Sequence, residues 1–218
     1  MSMPAAQPPP EPPLPPYPLR LHPRVLVGYG SLLGAVMVAM GVGWALIAGQ
    51  DGPGAWFPRE RWLADLLLGA LLGCAFAALA WALFGRIPAL QRIERRLAAV
   101  LDVTAMRLHH ALIFGLLAGV PEEILFRGAL QPALGLLATS FLFGALHAVT
   151  FAYFVYAALA GALLGALTLW RGALWAPVAA HTVVDVIMLA LLIRRWRTGT
   201  RAVASFPPDE GIASTQGK

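Results

Sequence analysis

The feature that most constrains this 218-residue chain is a series of long apolar runs. Six such runs lie at about 25–48, 62–84, 110–131, 133–151, 153–170 and 173–193. Each is close to the ~20 residues that an α-helix needs to cross ~30 Å of hydrocarbon. The chain is 59% hydrophobic and only 12% charged, whereas soluble domains carry about 25% charged residues. The sequence therefore predicts an all-α fold, a polytopic transmembrane helix bundle of about six spans.

The arginines lie at the ends of the apolar runs and predict the orientation of the chain. With six crossings, three clusters fall on one side of the membrane: Arg20 and Arg24, then Arg86, Arg92, Arg95, Arg96 and Arg107, then Arg194, Arg195, Arg197 and Arg201. Because lysine and arginine are enriched in cytoplasmic loops, both termini are predicted to face the cytoplasm. Arg171 is the exception on the outer side, and Asp65 begins the second run, where water can reach it.

Composition also bounds the partners and the location of the protein. The net charge of +5 comes from the clusters beside the apolar runs, so we expect the lipid bilayer as a partner and no nucleic acid. The high content of alanine, glycine, proline and arginine indicates a GC-rich bacterial genome, and therefore the bacterial inner membrane. The single cysteine, Cys74, lies in an apolar run, which excludes a disulfide framework and a cysteine-based metal site.

Changes in composition along the chain predict four segments. Residues 1–24 are proline-rich and form a disordered cytoplasmic tail. Residues 25–104 hold two spans and a basic linker, residues 105–195 form a second helix bundle, and residues 196–218 form a C-terminal tail. The stretch 85–110 alternates apolar and basic residues at helical spacing, which is typical of an amphipathic helix on the membrane surface. Its apolar positions are Ile93, Leu97, Val100 and Leu101.

The last four apolar runs contain ionisable side chains that do not belong in lipid. They are Glu122, Glu123, Arg127, His147, His181 and Asp185. An ionisable residue at the centre of a transmembrane helix costs ~2.5–3.5 kcal/mol on insertion scales, so the set costs more than ~10 kcal/mol if each faces lipid alone. We therefore expect these side chains to face one another or a wet cavity inside the bundle.

Spacing divides the residues around position 122 into two groups. Glu123 and Arg127 are four residues apart, so they share a helix face and can form an ion pair. Glu122 points about 100° away from Glu123 and has no cation one turn along. Pro121 removes an amide donor and disfavours helix at Val120, which predicts a kink that admits water beside Glu122.

The same four-residue interval links the remaining polar residues. His181 and Asp185 share a face, so the aspartate can orient the imidazole or both can ligate one centre; Phe143 can likewise wall one side of His147. Buried ion pairs that only specify packing explain Glu123 with Arg127, but they leave Glu122 and both histidines unexplained. A carboxylate, two histidines and an aspartate in one cavity can activate water or hold a divalent metal.

Three short motifs resemble those of a known family, the CPBP intramembrane proteases. "EEILFR" at 122–127 is similar to its EExxxR motif, "FGALH" at 143–147 to its FxxxH motif, and "HTVVD" at 181–185 to its HxxxN/D motif. The family contains the type II CAAX prenyl endopeptidases and bacterial Abi-type relatives. The resemblance covers residues 105–195 and implies an all-helical catalytic core that hydrolyses peptide bonds within the membrane.

The resemblance also implies roles for the polar residues. Glu122 is the expected general base that activates water, and Glu123 with Arg127 supports it. The remaining three, His147, His181 and Asp185, stabilise the oxyanion or join Glu122 in holding a divalent metal such as zinc. Aspartate stands at 185 where the CAAX enzymes have asparagine, and its anionic carboxylate favours a metal more than an amide does.

The expected activity is that of an intramembrane endopeptidase acting on a membrane-tethered peptide or protein. A proton-coupled transporter also places carboxylates and histidines at mid-membrane, but such transporters usually show internal repeats, which this sequence lacks. A non-catalytic membrane scaffold or immunity factor of the same fold is a further alternative. Haem held by His147 and His181 leaves the glutamates unexplained.

Overall fold

A computed structural model describes residues 20–88, 91, 93, 100–103 and 105–204, the last six by backbone alone. Its helices are α1 (Pro23–Ile47), α2 (Pro53–Trp56), α3 (Trp62–Phe84), α4 (Leu108–Glu123), a π-helical segment (Ile124–Leu130), α5 (Gln131–Leu146), α6 (Phe151–Arg171) and α7 (Trp175–Ala204). Most of the predicted proline-rich tail, the end of the C-terminal tail, and much of the predicted surface helix with Arg92, Arg95, Arg96 and Leu97 lie outside the described residues.

Five of the helical stretches are long and apolar enough to cross a membrane. They are Pro23–Ile47, Trp62–Phe84, Leu108–Leu146, Phe151–Arg171 and Trp175–Thr198. The predicted all-α polytopic bundle is confirmed, and the protein is an integral membrane protein. Among the described residues the candidate spans number five rather than about six: the predicted runs 110–131 and 133–151 fall in one stretch, Leu108–Leu146, in which two helices meet at Gly135.

The chain reverses direction inside that stretch, at Gly135. This residue has φ 80° and ψ 167°, which is not a helical conformation and favours glycine because a Cβ is disfavoured at positive φ. Before Gly135, the side chains of Arg127 and Gln131 donate hydrogen bonds of 3.0 Å to the carbonyls of Gly161 and Gly165 on α6. From the first contact to the second, the residue number increases by four on both helices, so this part of the stretch runs parallel to α6.

Beyond Gly135 the contacts with α6 run in the opposite order. Leu136 lies against Gly165, whereas Gly144 lies against Ala158 and the carbonyl of Phe154. The part of α5 after Gly135 is therefore antiparallel to α6, and the two form a helical hairpin. With eleven residues from 136 to 146, this arm is about 16 Å long and too short to cross the hydrocarbon.

The tip of the hairpin, residues 147–150, lies at the depth of Glu122, and Ala148 and Val149 at the tip are exposed. His147 Nε2 is 3.7 Å from Glu122 Oε2, in the middle of the stretch that begins at Leu108. At the tip, Thr150 Oγ1 accepts a hydrogen bond from the Tyr153 amide at 3.2 Å and caps α6. The tip thus brings His147 to the level of Glu122.

Both described ends of the chain lie at the same end of the bundle. Val103, Met106 and Ile193 form a buried cluster against which Leu26 of α1 and Trp196 of α7 pack. The start of α1, the segment before α4 and the end of α7 therefore meet there, together with the described members of the three arginine clusters. That this end faces the cytoplasm stays a prediction.

Close helix packing places α7 between α3 and α4. Gly73 of α3 lies against the Ala180 carbonyl, and Gly119 of α4 lies against Thr182. Glycines at these contacts let the backbones approach closely, which is how helices associate in lipid. His181 is thereby held between α3 and α4, with its ring directed toward the end of α4.

Candidate active site

The structure brings all six predicted polar residues together. Glu122 and Glu123 end α4, Arg127 lies in the π-helical segment, His147 follows α5 at the hairpin tip, and His181 and Asp185 lie on α7. The site thus needs three separate parts of the chain. Its side chains form two layers: one is buried by surrounding protein, and the other borders cavities.

The sealed layer consists of Glu123, Arg127 and the Nδ1 edge of His181. Glu123 is fully buried; its Oε1 lies 2.8 Å from His181 Nδ1 and its Oε2 lies 3.3 Å from Arg127 Nε. Arg127 is 1% exposed and its Nη2 also donates to the Gly161 carbonyl. The predicted contact between Glu123 and Arg127 is present. The imidazole of His181 is oriented by Glu123, whereas Asp185 Oδ2 is 3.6 Å from Nε2, beyond hydrogen-bond distance.

The helix changes its hydrogen-bond pattern between the carboxylates and Arg127. Helical conformation continues through Pro121 to Glu123, and a π-helix follows over Ile124–Leu130. The structure therefore shows a π-helical segment after Pro121, where the sequence predicted a kink at Val120. Single π-helical turns inside α-helices are frequent at functional sites, because they change the direction of side chains relative to a regular helix.

Phe143 joins the two layers. Its ring centroid lies 4.4 Å from that of His147 and 6.0 Å from that of His181, so the predicted aromatic wall beside His147 is present. On the other side, the Arg127 guanidinium lies 4.6 Å from the Phe143 ring centroid. A cation over an aromatic face is attracted by the ring quadrupole, which helps to hold Arg127 in the sealed layer.

The open layer consists of Glu122, His147, Asp185 and the Nε2 edge of His181. Glu122 Oε2 is 3.7 Å from His147 Nε2 and 3.8 Å from His181 Nε2. The side chains of Glu122, His147 and Asp185 are 17%, 29% and 39% exposed, against 0% for Glu123. Each of these three residues borders at least one of two cavities that meet at this layer.

Hydrogen bonds at Nδ1 fix what the two histidines present to Glu122. His147 Nδ1 lies 2.7 Å from the Phe143 carbonyl, and His181 Nδ1 faces the Glu123 carboxylate. Both partners can only accept, so each Nδ1 carries a proton, and Nε2 presents a lone pair in a neutral ring and an N–H in a charged one. Among the described residues, Glu122 Oε2 has no hydrogen-bond donor. When both rings are neutral, three acceptor atoms face one small gap, which then requires a water molecule, a proton or a cation.

A divalent metal satisfies this requirement chemically, but the side chains as arranged do not form a metal site. Imidazole nitrogens and carboxylate oxygens suit zinc, and Nδ1 hydrogen bonds commonly orient metal-binding histidines. However, the part of the chain that the structure describes contains no group of three or more His, Cys, Asp or Glu side chains placed to hold one metal ion. The metal set Glu122, His147, His181 and Asp185 therefore stays a prediction.

Two mainly apolar cavities, of about 400 and 490 Å³, meet at the open layer. Glu122 and Asp185 border both of them, as do Tyr153 and Tyr156 of α6. The sequence analysis missed these two tyrosines. The available signal was a pair of polar hydroxyl groups three residues apart in an apolar run, close after the FxxxH motif.

A second buried ion pair lies away from the site, and the prediction that water reaches Asp65 is wrong. Asp65 is 1% exposed, and its Oδ1 lies 2.7 Å from Nε and 2.6 Å from Nη2 of Arg171. The pair ties the start of α3 to the end of α6, and thus anchors the returning arm of the hairpin. Each residue is an isolated charge at the end of an apolar run, and this is the only signal that the sequence offers.

Comparison with known proteins agrees with this geometry. Residues 104–187 match the model of the family described as Type II CAAX prenyl endopeptidase Rce1-like. "Uncharacterized protein YpbD" from Bacillus subtilis (strain 168) is 37% identical over 84 residues, which are 36% of this chain and 43% of the relative. The chain thus spans less than half the length of that curated relative. No solved structure matches. The resemblance to the CPBP intramembrane proteases, to which the type II CAAX prenyl endopeptidases belong, is thereby confirmed over residues 104–187, the segment that carries all six site residues.

Proposed function

We propose that the protein is an intramembrane endopeptidase that hydrolyses peptide bonds of membrane-tethered substrates, with Glu122 as the general base. The observation that carries this proposal is the contrast between neighbouring carboxylates. Glu123 is sealed by Arg127 and His181, whereas Glu122 faces two imidazole nitrogens across a gap of 3.7–3.8 Å and borders both cavities. The family match supports peptidase chemistry within a membrane.

In this proposal one water molecule lies on the cavity side of the Glu122 carboxylate and the two Nε2 atoms and bridges them. Glu122 Oε2 takes a proton from this water while the water oxygen bonds to the carbonyl carbon of the substrate peptide. The same carboxyl group then gives the proton to the leaving amine as the C–N bond breaks. A protonated imidazole at His147 or His181 donates Nε2–H to the oxyanion of the tetrahedral intermediate.

The sealed layer supports this chemistry without touching the water. Glu123 accepts the Nδ1–H of His181 and so fixes both the tautomer and the direction of Nε2, as the aspartate of a catalytic triad does for its histidine. Arg127 compensates the charge of Glu123 and bonds the Gly161 carbonyl, which holds α6 beside the site. Asp185 is an acceptor beside His181 that stabilises its charged form during the reaction.

The end of the bundle that carries the arginine clusters faces the cytoplasm of a bacterial inner membrane in this proposal. The hairpin 136–171 starts and ends at the opposite end, so it adds no net crossing, and the described ends of the chain remain on one side. Reporter fusions at residues 20 and 198 test this arrangement. Reporters on opposite sides of the membrane contradict it, because the three arginine clusters then cannot all be cytoplasmic.

The experiment that tests the activity compares membrane-protein termini in cells. Cells that lack the chromosomal copy express wild type, Glu122→Gln or the control Glu60→Gln, in which an exposed loop carboxylate changes. We expect new termini, within or next to membrane segments, with wild type and with the control but not with Glu122→Gln. Identical termini in all three strains, at equal protein abundance, contradict the proposed function and favour a non-catalytic scaffold.

A further inference from the structure

The two cavities at the open layer have walls of different size. Chamber A, of about 400 Å³, is bordered by large side chains, among them Met37, Trp81, Phe84, Phe114 and Met188. Chamber B, of about 490 Å³, is bordered by several small residues, among them Gly73, Ala75, Ala157, Ala160 and Ala180. Chamber B has the larger volume and more small residues in its wall, so it offers more room for a bulky apolar side chain.

Tyr156 stands at the boundary between the chambers. Its ring stacks on Phe76 of chamber B at a centroid distance of 5.9 Å and meets the edge of Phe84 of chamber A at 5.8 Å. Tyr153 stacks behind it at 5.8 Å. Because Phe76 and Phe84 are eight residues apart on α3, they are separated by about 12 Å along the helix. The chambers therefore succeed one another along α3, with Tyr156 between them.

The boundary coincides with the reacting groups. Glu122 and Asp185 border both chambers, as the two tyrosines do. A peptide bound with its carbonyl at Glu122 can extend in one chain direction into chamber A and in the other into chamber B. The contacts of the Tyr156 ring with Phe76 and Phe84 of α3 hold this ring between the two chambers.

We infer that Tyr156, backed by Tyr153, is a specificity-determining residue that separates the binding pockets for the side chains on either side of the scissile bond. The inference rests on the proposed peptidase function and narrows its substrate class. The substrate is a peptide with apolar side chains on both sides of the cleaved bond, the bulkier one in chamber B. Tyr156 limits the size of each side chain by keeping the chambers apart.

The test uses full-length protein in lipid nanodiscs and a set of apolar peptides that carry Ala, Leu, Phe or Trp at either residue flanking one bond. We expect Tyr156→Ala to reduce discrimination between Ala and Trp at these positions about tenfold, the scale on which an apolar pocket distinguishes small changes in size. The change falls on KM more than on kcat. Tyr156→Phe keeps the ring and is expected to retain the wild-type profile.

Two further variants separate a pocket effect from a folding defect. Ala160→Phe fills part of chamber B and is expected to exclude Trp at one flanking position only. Tyr29→Ala removes a 70% exposed tyrosine of α1 that borders neither chamber, and should leave the profile unchanged. Thermal unfolding is recorded for every variant. Relative rates equal to wild type for folded Tyr156→Ala and Ala160→Phe overturn the inference.

Binding to the Glu122→Gln protein separates this inference from the proposed function. The same peptides are titrated into Glu122→Gln and into Glu122→Gln with Tyr156→Ala, so that no cleavage is required. A change in the relative affinities of the peptides on Tyr156→Ala supports the role of Tyr156 as a boundary between the pockets. Absence of cleavage by wild type counts separately, against the proposed peptidase function. Unchanged affinities together with normal cleavage by wild type leave the peptidase in place and remove the role of Tyr156.

Discussion

Two adjacent glutamates of this protein have opposite surroundings. Glu123 is fully buried and contacts Arg127 and His181 at 3.3 and 2.8 Å. Glu122 is 17% exposed, borders two cavities and faces two nitrogens at distances too long for hydrogen bonds. One step along a helix turns a side chain by about 100°, and here that step separates a buried, compensated charge from one that borders the cavities.

Two consecutive residues thus differ in burial: Glu123 is closed off by its partners, and Glu122 borders the cavities. A paired carboxylate is held by its partners and is a poor base for water, because accepting a proton breaks its contacts. In the proposed reaction the base is Glu122, whose Oε2 has no hydrogen-bond donor among the described residues. Changes in the open layer should therefore reduce turnover, whereas changes in the sealed layer should first reduce stability.

The largest effect is expected from the open layer. Glu122→Gln keeps the size of the side chain but removes the proton acceptor, and losing a general base typically costs about 10²–10⁴-fold in rate. The measurement is kcat for a reporter peptide in proteoliposomes, with Glu60→Gln as control. Thermal unfolding should be unchanged, since Glu122 makes only long contacts. Near-normal turnover moves the base to Glu123 or to a metal-bound hydroxide.

In the sealed layer, Arg127→Ala should act mainly on stability. Removing one partner of a buried ion pair leaves the Glu123 charge uncompensated, at a cost of about 3–5 kcal/mol. The free energy of unfolding in detergent and the abundance in membranes measure this loss, with the exposed Arg59→Ala as control. An Arg127→Ala protein as stable as wild type but inactive shows instead that Arg127 acts in catalysis.

A smaller loss of stability is expected at the second buried pair. Arg171→Ala leaves Asp65 buried without its donor, which costs about 1–3 kcal/mol, less than at Arg127 because Arg171 is 18% exposed. The rate per folded molecule should be retained, because the pair anchors the hairpin at the end away from His147. A folded variant that has lost activity shows that this anchor controls the position of the tip.

The smallest effect should follow from removing the charge at residue 185. Asp185→Asn is expected to reduce turnover by less than the ~10–100-fold loss of activity that follows when the surroundings of a metal are disturbed. Asp185 lies 3.6 Å from His181 and need not touch the water. Chelators should likewise leave turnover unchanged. Activity that a chelator removes and zinc restores, with less zinc bound by Asp185→Asn, assigns the reaction to a metal-bound hydroxide.

Contacts within one helix are the part of the site that the sequence predicts well. The contact of Glu123 with Arg127 and the wall that Phe143 forms beside His147 follow from the four-residue interval, since helix geometry fixes which side chains share a face. The bond between Glu123 and His181 joins residues 58 apart, and the pair of Asp65 with Arg171 joins residues 106 apart. No periodicity links such residues.

Local sequence also leaves two backbone features undecided. Pro121 indicates a disturbed helix, but whether the chain kinks at Val120 or continues into a π-helical segment depends on the helices packed around it. Gly135 permits either an ordinary helical conformation or a positive φ, and the contacts of the following arm with α6 select the reversal. The number of candidate spans differs from the sequence prediction for this reason.

The amino-acid sequence is enough to predict an all-helical membrane protein, the polar residues that meet in its interior, and the family that residues 105–195 resemble. These properties depend on composition, on apolar run length and on side chains within one turn of each other. The packing of the helices establishes instead that Glu122 borders the cavities while Glu123 is buried, that His147 at the hairpin tip lies beside Glu122, and that Tyr156 lies between two chambers. Such properties depend on how helices distant in sequence pack, and backbone contacts through glycine and interhelical hydrogen bonds set that packing.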